Sequence, residues 1–270
     1  MTDLPNDSVR FAQADGIATL TLDRPAALNA LNHDMVAALQ AATQRVEQDR
    51  NVRAVILQGG DNFMAGGDLK WFKEMLDNEP DKTVLRHEFE RFVHEVHPII
   101  LRLRHMPKPV VASVQGAVAG FGISLMLACD LAIAAENAMF TLAYSLIGAS
   151  PDGGSSYALP RAVGLKRAFE IALLGDRFDA ETAHAAGLIN RVVPSDALAA
   201  ETAALAARLA AGPTHAYANT KALLNASLHR SLEDQLDAEA RSFADCAGTD
   251  DFAEGIGAFV EKRKPRFTGR

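Results

Sequence analysis

The stretch PKPVVASVQGAVAGFGISLMLACDLAIAAENAMF, residues 107 to 140, decides how this chain folds. Its two prolines end whatever helix precedes them, because a residue before proline is pushed out of helical geometry. PVVASV reads as a strand with no polar alternation, the pattern of burial on both faces. QGAVAGFG follows as a glycine-containing loop, and ISLMLACD as an apolar helix. LAIAA and MFTL are short strands. Strand, glycine-rich turn and buried helix thus follow one another within one short segment.

The same grammar stands upstream. RAVILQ (53–58) is a short β-rich run. It ends in the loop GGDNFMAGGD, and a helix starts near Leu69. Two such units predict right-handed strand–helix repeats stacked on one another. Farther upstream, VRFAQ and IATLTLD flank the turn signal Ala-Asp-Gly and predict a hairpin. Asn32 is placed to cap a helix running to about Asp49, with Met35, Val36, Leu39 and Val46 on its apolar face. An amphipathic helix covers about Lys82 to His105. Beyond Tyr157 the chain reads as successive helices, beginning with RAVGLKRAFEIALLG and interrupted by the strand INRVV. A division near residue 195 is expected: an α/β core over 1–195 and a mostly helical region over 196–270. That region packs either on the core or on another subunit.

Bulk properties exclude several classes. The chain has 270 residues, 49% hydrophobic and 23% charged, which is ordinary globular composition. No apolar run approaches the roughly 20 residues needed to cross a membrane. The polar, acidic start MTDLPNDSVRF does not read as a signal peptide. Cys129 and Cys246 are the only cysteines, which fits a reducing cytoplasm. No metal-ligand spacing is present, so no metal is expected. A net charge of −7 argues against general nucleic-acid binding. The basic tail EKRKPR (261–266) stands out, and on composition alone it is a solvated end.

Two features carry chemistry. Each glycine loop offers free N–H groups at a helix N-terminus, where the macrodipole also favours negative charge. Two such groups converging on one point form an oxyanion hole suited to a carbonyl oxygen that gains charge, as in a thioester enolate. Either loop alone is an ordinary connection, and neither has dinucleotide or P-loop spacing. The second feature is SPDGGSSY (150–157), which places Asp152 in a glycine- and serine-rich turn. Pro-Asp-Gly is a standard turn former, so Asp152 reads either as a turn residue or as a proton-moving carboxylate.

Taken together, RPAALNALN, FMAGGDLK, the 107–140 segment, the PDGG loop, ALLGDRFDAETAHAAGLINRVV and TDDFAEGIGAFVEKRKPRF resemble the enoyl-CoA hydratase/isomerase (crotonase) superfamily. The resemblance runs through essentially the whole chain, and the active-site pattern is nearest to the family's isomerases. It implies a spiral of repeated β-β-α units with a helical C-terminal trimerisation region. It implies an acyl-CoA substrate, CoA being part of that substrate and no cofactor being permanently bound. It implies a homotrimer or a dimer of trimers.

Residue by residue, the resemblance makes the N–H groups of Gly67 and Phe121 the oxyanion donors. Phe121 stands where glycine is usual and is expected to narrow the site. CoA is expected along Ala26, Ala27, Leu28 and the backbone of Ala65, near Lys70, and against Phe259 and Lys262, often from a neighbouring subunit. CoA is rich in phosphate, which gives the basic tail a purpose. Ala26 replaces a lysine found in some hydratases. Ser124 and Tyr144 occupy the positions of the two glutamates of two-carboxylate hydratases. Serine does not titrate usefully near neutrality, and tyrosine has a reference pKa of about 10. Hydration by two glutamates is therefore disfavoured.

Asp152 falls where the family's isomerases carry a catalytic acid, and one carboxylate suffices for a 1,3-proton shift. The same position holds the nucleophilic aspartate of the family's aryl-CoA dehalogenase. Ungapped counting puts His97 where that enzyme has its base. Hydration by a modified mechanism and a non-catalytic CoA-binding scaffold stay open as alternatives. Asp68 is expected to cap the helix after its loop, and Asp130 to order the strand after its helix. Cys129 is expected in the core, and Ser155 and Ser156 as caps for the helix into Tyr157.

Overall fold

The computed structural model describes residues 4–270; the first three residues of the expected N-terminal core lie outside this range. β1 (Val9–Ala14) and β2 (Ile17–Leu22) form the expected antiparallel hairpin. The chain then crosses through α1 (His33–Gln48) to β3 (Ala54–Gln58). Asn32 caps α1 by accepting from the Met35 N–H, and α1 buries Met35, Val36, Leu39 and Val46. α2 (Leu69–Asn78) and α3 (Lys82–His105) follow. Next come β4 (Val110–Val114), β5 (Ala117–Ala119), α4 (Phe121–Leu127), β6 (Leu131–Ala135) and β7 (Met139–Thr141). α5 (Ser155–Val163) and α6 (Leu165–Leu174) are separate helices meeting at Gly164, where the sequence reads as one continuous helix. β8 (Phe178–Asp179), α7 (Ala180–Ala185) and β9 (Arg191–Val193) complete the α/β part. α8 (Leu198–Ala210), α9 (Thr214–Ala226), α10 (Leu232–Ala247) and α11 (Asp250–Val260) follow.

The strands form two sheets. The larger runs β1-β2-β3-β4-β6-β9, parallel from β2 onward; the smaller runs β5-β7-β8. The reason is visible in the repeat. After β4 the chain turns into the small sheet as β5 and then enters α4; after β6 it does the same as β7. After β3, Met64 makes a single parallel bridge to Val118 in β5, an abbreviated version of the same step. Each repeat therefore lays one strand in each sheet and then a helix, which is the β-β-α spiral. β5 lies inside the segment that reads as loop.

α8 covers β3, β4 and β6, with Leu198, Thr202, Ala206 and Ala210 buried, and the Thr202 hydroxyl donates to Ser113 Oγ in β4 at 2.9 Å. α9 meets α3, and α10 packs on α9. Among the described residues no helix is long and apolar enough to cross a membrane.

Candidate active site

The strands of the large sheet deliver the two glycine loops side by side. The loop after β3 is stitched to the loop after β4: Phe63 N–H donates to Gln115 O (2.9 Å), Met64 N–H to Ala117 O (2.9 Å) and Ala119 N–H to Met64 O (2.8 Å). The contact is so close that a Cβ on Gly120 would lie 3.5 Å from Gly66 Cα. Among the described residues, neither the Gly67 nor the Phe121 N–H donates to a protein acceptor. Two unpaired donors on adjoining turns are the raw material of an oxyanion hole.

RPAALNALN supports the first loop from outside. Ala65 N–H donates to Leu28 O (3.0 Å), Leu31 N–H to Gly66 O (2.7 Å) and Asp68 N–H to Leu31 O (3.0 Å). The Asn29 amide donates to the carbonyls of Asn62 and Phe63. Asp68 caps α2 as expected and pairs with Arg24 at 3.0 Å. Burial works to raise its pKa, but Arg24 and the N–H groups of Trp71 and Lys70 outweigh it and hold the carboxyl below its usual range. Ala26, Ala27 and Leu28 thus border the first glycine loop, with Leu28 exposed beside the Ala65 backbone. Lys70 stands exposed in the first turn of α2.

Asp152 precedes α5 and is tied to the helix that carries the second donor. Ser124, on α4, donates its hydroxyl to the Asp152 carbonyl at 2.8 Å. Ser155 donates to the same carbonyl from its hydroxyl (3.1 Å) and its N–H (3.3 Å). Ser155 therefore bonds back to the turn; Gly154 is the N-cap of α5, with no side-chain cap, contrary to the expected serine caps. Gly153 has φ +58, and a Cβ there would lie 2.6 Å from the Phe121 ring and 2.9 Å from Ser124 Cβ. Phe121 is only 2% exposed, so its bulk braces the Asp152 turn from beneath.

The Tyr144 hydroxyl donates to Asp152 Oδ1. Burial pushes the Asp152 pKa up; the Tyr144 hydrogen bond and the nearby His97 on α3 pull against it without cancelling it. A half-buried carboxyl with a raised pKa is a better base than an exposed one. Phe121, Ser124 and Tyr144 thus meet at the Asp152 turn with His97 near it, and Gly67 lies on the loop that adjoins the turn before Phe121.

Phe259 and Lys262 are not part of it within one chain. Phe259 is 86% exposed on α11. The tail beyond folds back so that Asp251 accepts from the N–H groups of Thr268 (2.6 Å) and Gly269 (2.8 Å). Arg53 grips the Phe267 carbonyl (3.1 Å) and the Gly212 carbonyl (2.6 Å). Arg53 precedes β3, whereas Gly67 lies beyond its other end. Asp130 also departs from expectation: its carboxylate accepts from Val110 N–H at 2.8 Å, ordering β4 rather than the strand after its own helix.

One wall of the site escapes the sequence reading. Phe72 lies over Gly67, where a Cβ would be 2.7 Å from its ring. It belongs to an aromatic cluster, mostly edge-to-face, with Trp71, Phe89, Phe92 and His33 joining α1, α2 and α3. The adjacent aromatics of α2, and the i,i+3 pair Phe89 and Phe92 on α3, are the signal that marks it.

The sequence profile described as enoyl-CoA hydratase/isomerase matches residues 12–270. The chain belongs to the enoyl-CoA hydratase/isomerase family. It is an enzyme of the crotonase superfamily acting on CoA thioesters, and CoA is carried by the substrate. Within the family it is 40% identical over 257 residues to the 1,2-epoxyphenylacetyl-CoA isomerase of Escherichia coli (strain K12), covering 94% of this chain and 96% of that one. It is 42% identical over 265 residues to a protein named "Probable enoyl-CoA hydratase" from Rhodobacter capsulatus, covering 97% and 98%. The crystal structure of an enoyl-CoA hydratase from Polaromonas sp. JS666 superposes with a TM-score of 0.89 at 34% identity, covering 96% of this chain and 99% of that one. Hydratase and isomerase names both occur among these relatives, so membership alone does not choose the reaction.

Proposed function

We propose that this family member is a single-carboxylate enoyl-CoA isomerase that shifts a double bond in the acyl group. The observation that carries this reading is Asp152: half-buried, raised in pKa and braced against the helix that bears the Phe121 N–H. The thioester carbonyl accepts from Gly67 and Phe121. Asp152 takes a proton from the α or γ carbon, the negative charge moves onto the thioester oxygen, and the carboxylic acid returns the proton at the other end. The substrate's atoms are conserved and Asp152 ends ionised as it began. Ser124 and Tyr144 offer no second carboxylate to activate water.

CoA binds along Ala26, Ala27, Leu28 and the Ala65 backbone, with Lys70 near its phosphates. Phe259 and Lys262 complete that site from a second copy, in a homotrimer or dimer of trimers in which residues 196–270 supply much of the contact. A monomer at working concentration, by light scattering, would overturn the assembly. The test of the reaction is turnover of 3-enoyl-CoA and 2-enoyl-CoA, following isomerisation, hydration and solvent exchange at the α carbon. Isomerisation without net hydration is expected, and Asp152→Asn lowers it by about 10²–10⁴-fold, the range for loss of a general base. Net hydration as the main reaction, or CoA binding without turnover, would reject the proposal.

A second reading has one observation in its favour: His97 lies near Asp152, as a base activating water for hydrolysis of an aspartyl adduct would. Detection of a covalent Asp152 adduct by mass spectrometry would favour that chemistry.

A further inference from the structure

We infer that Tyr144 is a positioning residue that divides the work of the Asp152 carboxylate, holding Oδ1 and leaving Oδ2 to meet the substrate carbon. The inference rests on Asp152 being the base. Tyr144 is only 9% exposed, and its hydroxyl donates to Oδ1. Oδ2 receives no hydrogen bond from the described residues, and it is not among the buried polar atoms left without a partner. It is therefore the carboxylate oxygen left accessible and free to meet a substrate.

The phenol is itself held in place. Tyr144 N–H donates to Leu142 O at 2.8 Å, Ala149 N–H donates to Tyr144 O at 3.0 Å, and Ala143 before it sits at φ 57. The turn packs on Gly175, where a Cβ would come within 2.9 Å of Ser145 Oγ. Burial and the Asp152 charge both push the tyrosine's own pKa upward, so the hydroxyl stays protonated and able to donate. A donor to the ionised carboxylate favours that form, which opposes burial and keeps Asp152 a usable base. It also fixes the carboxylate plane, and orientation of a reacting group is worth large factors in rate. The titratable groups facing Asp152 are Tyr144 from this turn and His97 from α3; Ser124 and Ser155 bind only its carbonyl. Tyr144 thus stands at a glutamate position of the hydratases but serves a different carboxylate.

The experiment is the pH profile of kcat/KM for 3-enoyl-CoA in Tyr144→Phe. Loss of a hydrogen bond to a charged group moves the acid limb up by about one pH unit. The pH-independent kcat falls by about tenfold or more, while KM changes little. An unmoved limb, or a raised KM with kcat intact, would overturn the inference and make Tyr144 a wall of the substrate site. Should Tyr144→Phe fail to fold, 3-fluorotyrosine in place of the chain's three tyrosines gives the opposite sign. Its more acidic phenol donates more strongly, so the limb moves down; an unmoved limb again overturns the inference. Asp152→Asn separates the two levels. If it keeps full turnover, the proposed function fails. If it is inactive while Tyr144→Phe keeps the wild-type limb, only the positioning role fails.

Discussion

Asp152 shows how one residue serves two physical demands. As part of Pro-Asp-Gly it shapes a turn; as a half-buried carboxyl it resists ionisation. The folded state then holds the proton more tightly than the unfolded chain does. Stability from this group is greatest below the usual carboxylate range and is lost as pH rises through the raised native value. Asp152→Asn is therefore expected to raise Tm at pH 7 while lowering turnover. The gain shrinks toward zero at about pH 4, near the usual carboxylate pKa. Calorimetry at the two pH values checks this; an unchanged or lower Tm at pH 7 would show that the carboxylate is not destabilising. Much of this site was legible. The two glycine turns before helices were visible in the chain itself, whereas Asp152, Gly67 and Phe121 were singled out only by the family resemblance. The Ser124 and Tyr144 bonds to Asp152 were not legible, because hydrogen-bond partners far apart in the chain leave no local pattern.

At the level of elements, the glycine loops proposed to hold the thioester oxygen depend on backbone geometry that side chains disfavour. Gly120 adopts φ 50, ψ −119 just before α4, and only glycine reaches that region at low cost. Gly120→Ala is expected to turn the Phe121 N–H away. It lowers kcat by about 10²–10³-fold, as loss of one oxyanion donor does, and costs about 1–3 kcal/mol of stability. Steady-state kinetics with denaturant unfolding measures both; wild-type kcat would remove Phe121 from the hole. The hairpin, α1, β3, α3 and β4 were readable because each has a clear period or a clean stop. β5 was not: three residues between glycines carry no periodicity, and they become a strand only because β7 and Met64 lie alongside.

Across the whole molecule, the helical C-terminal region is joined to the core by a partly exposed ion pair. Lys221 on α9 donates to Asp130 (2.8 Å) and to the carbonyls of Leu103 (2.7 Å) and Lys108 (3.1 Å). Burial disfavours both charges, and their pairing opposes it. Lys221→Met removes these hydrogen bonds and leaves the partly exposed Asp130 unpaired, so it is expected to cost about 1–3 kcal/mol in urea unfolding. A loss below 1 kcal/mol would show that Asp130 finds water or another partner.

The sequence by itself determined the alternation of strand, glycine turn and helix, the Asn32 and Asp68 caps, and the residue types available in the glycine loops and the Asp152 turn. Those depend on neighbours along the chain. Tertiary structure alone decided that the two glycine loops touch and that Ser124 and Phe121 brace the Asp152 turn. It also decided that Tyr144 claims one carboxylate oxygen, and that Phe259 and Lys262 lie away from their own chain's site. These contacts join residues brought together only when the β-β-α spiral closes, and their geometry is set by how the elements pack.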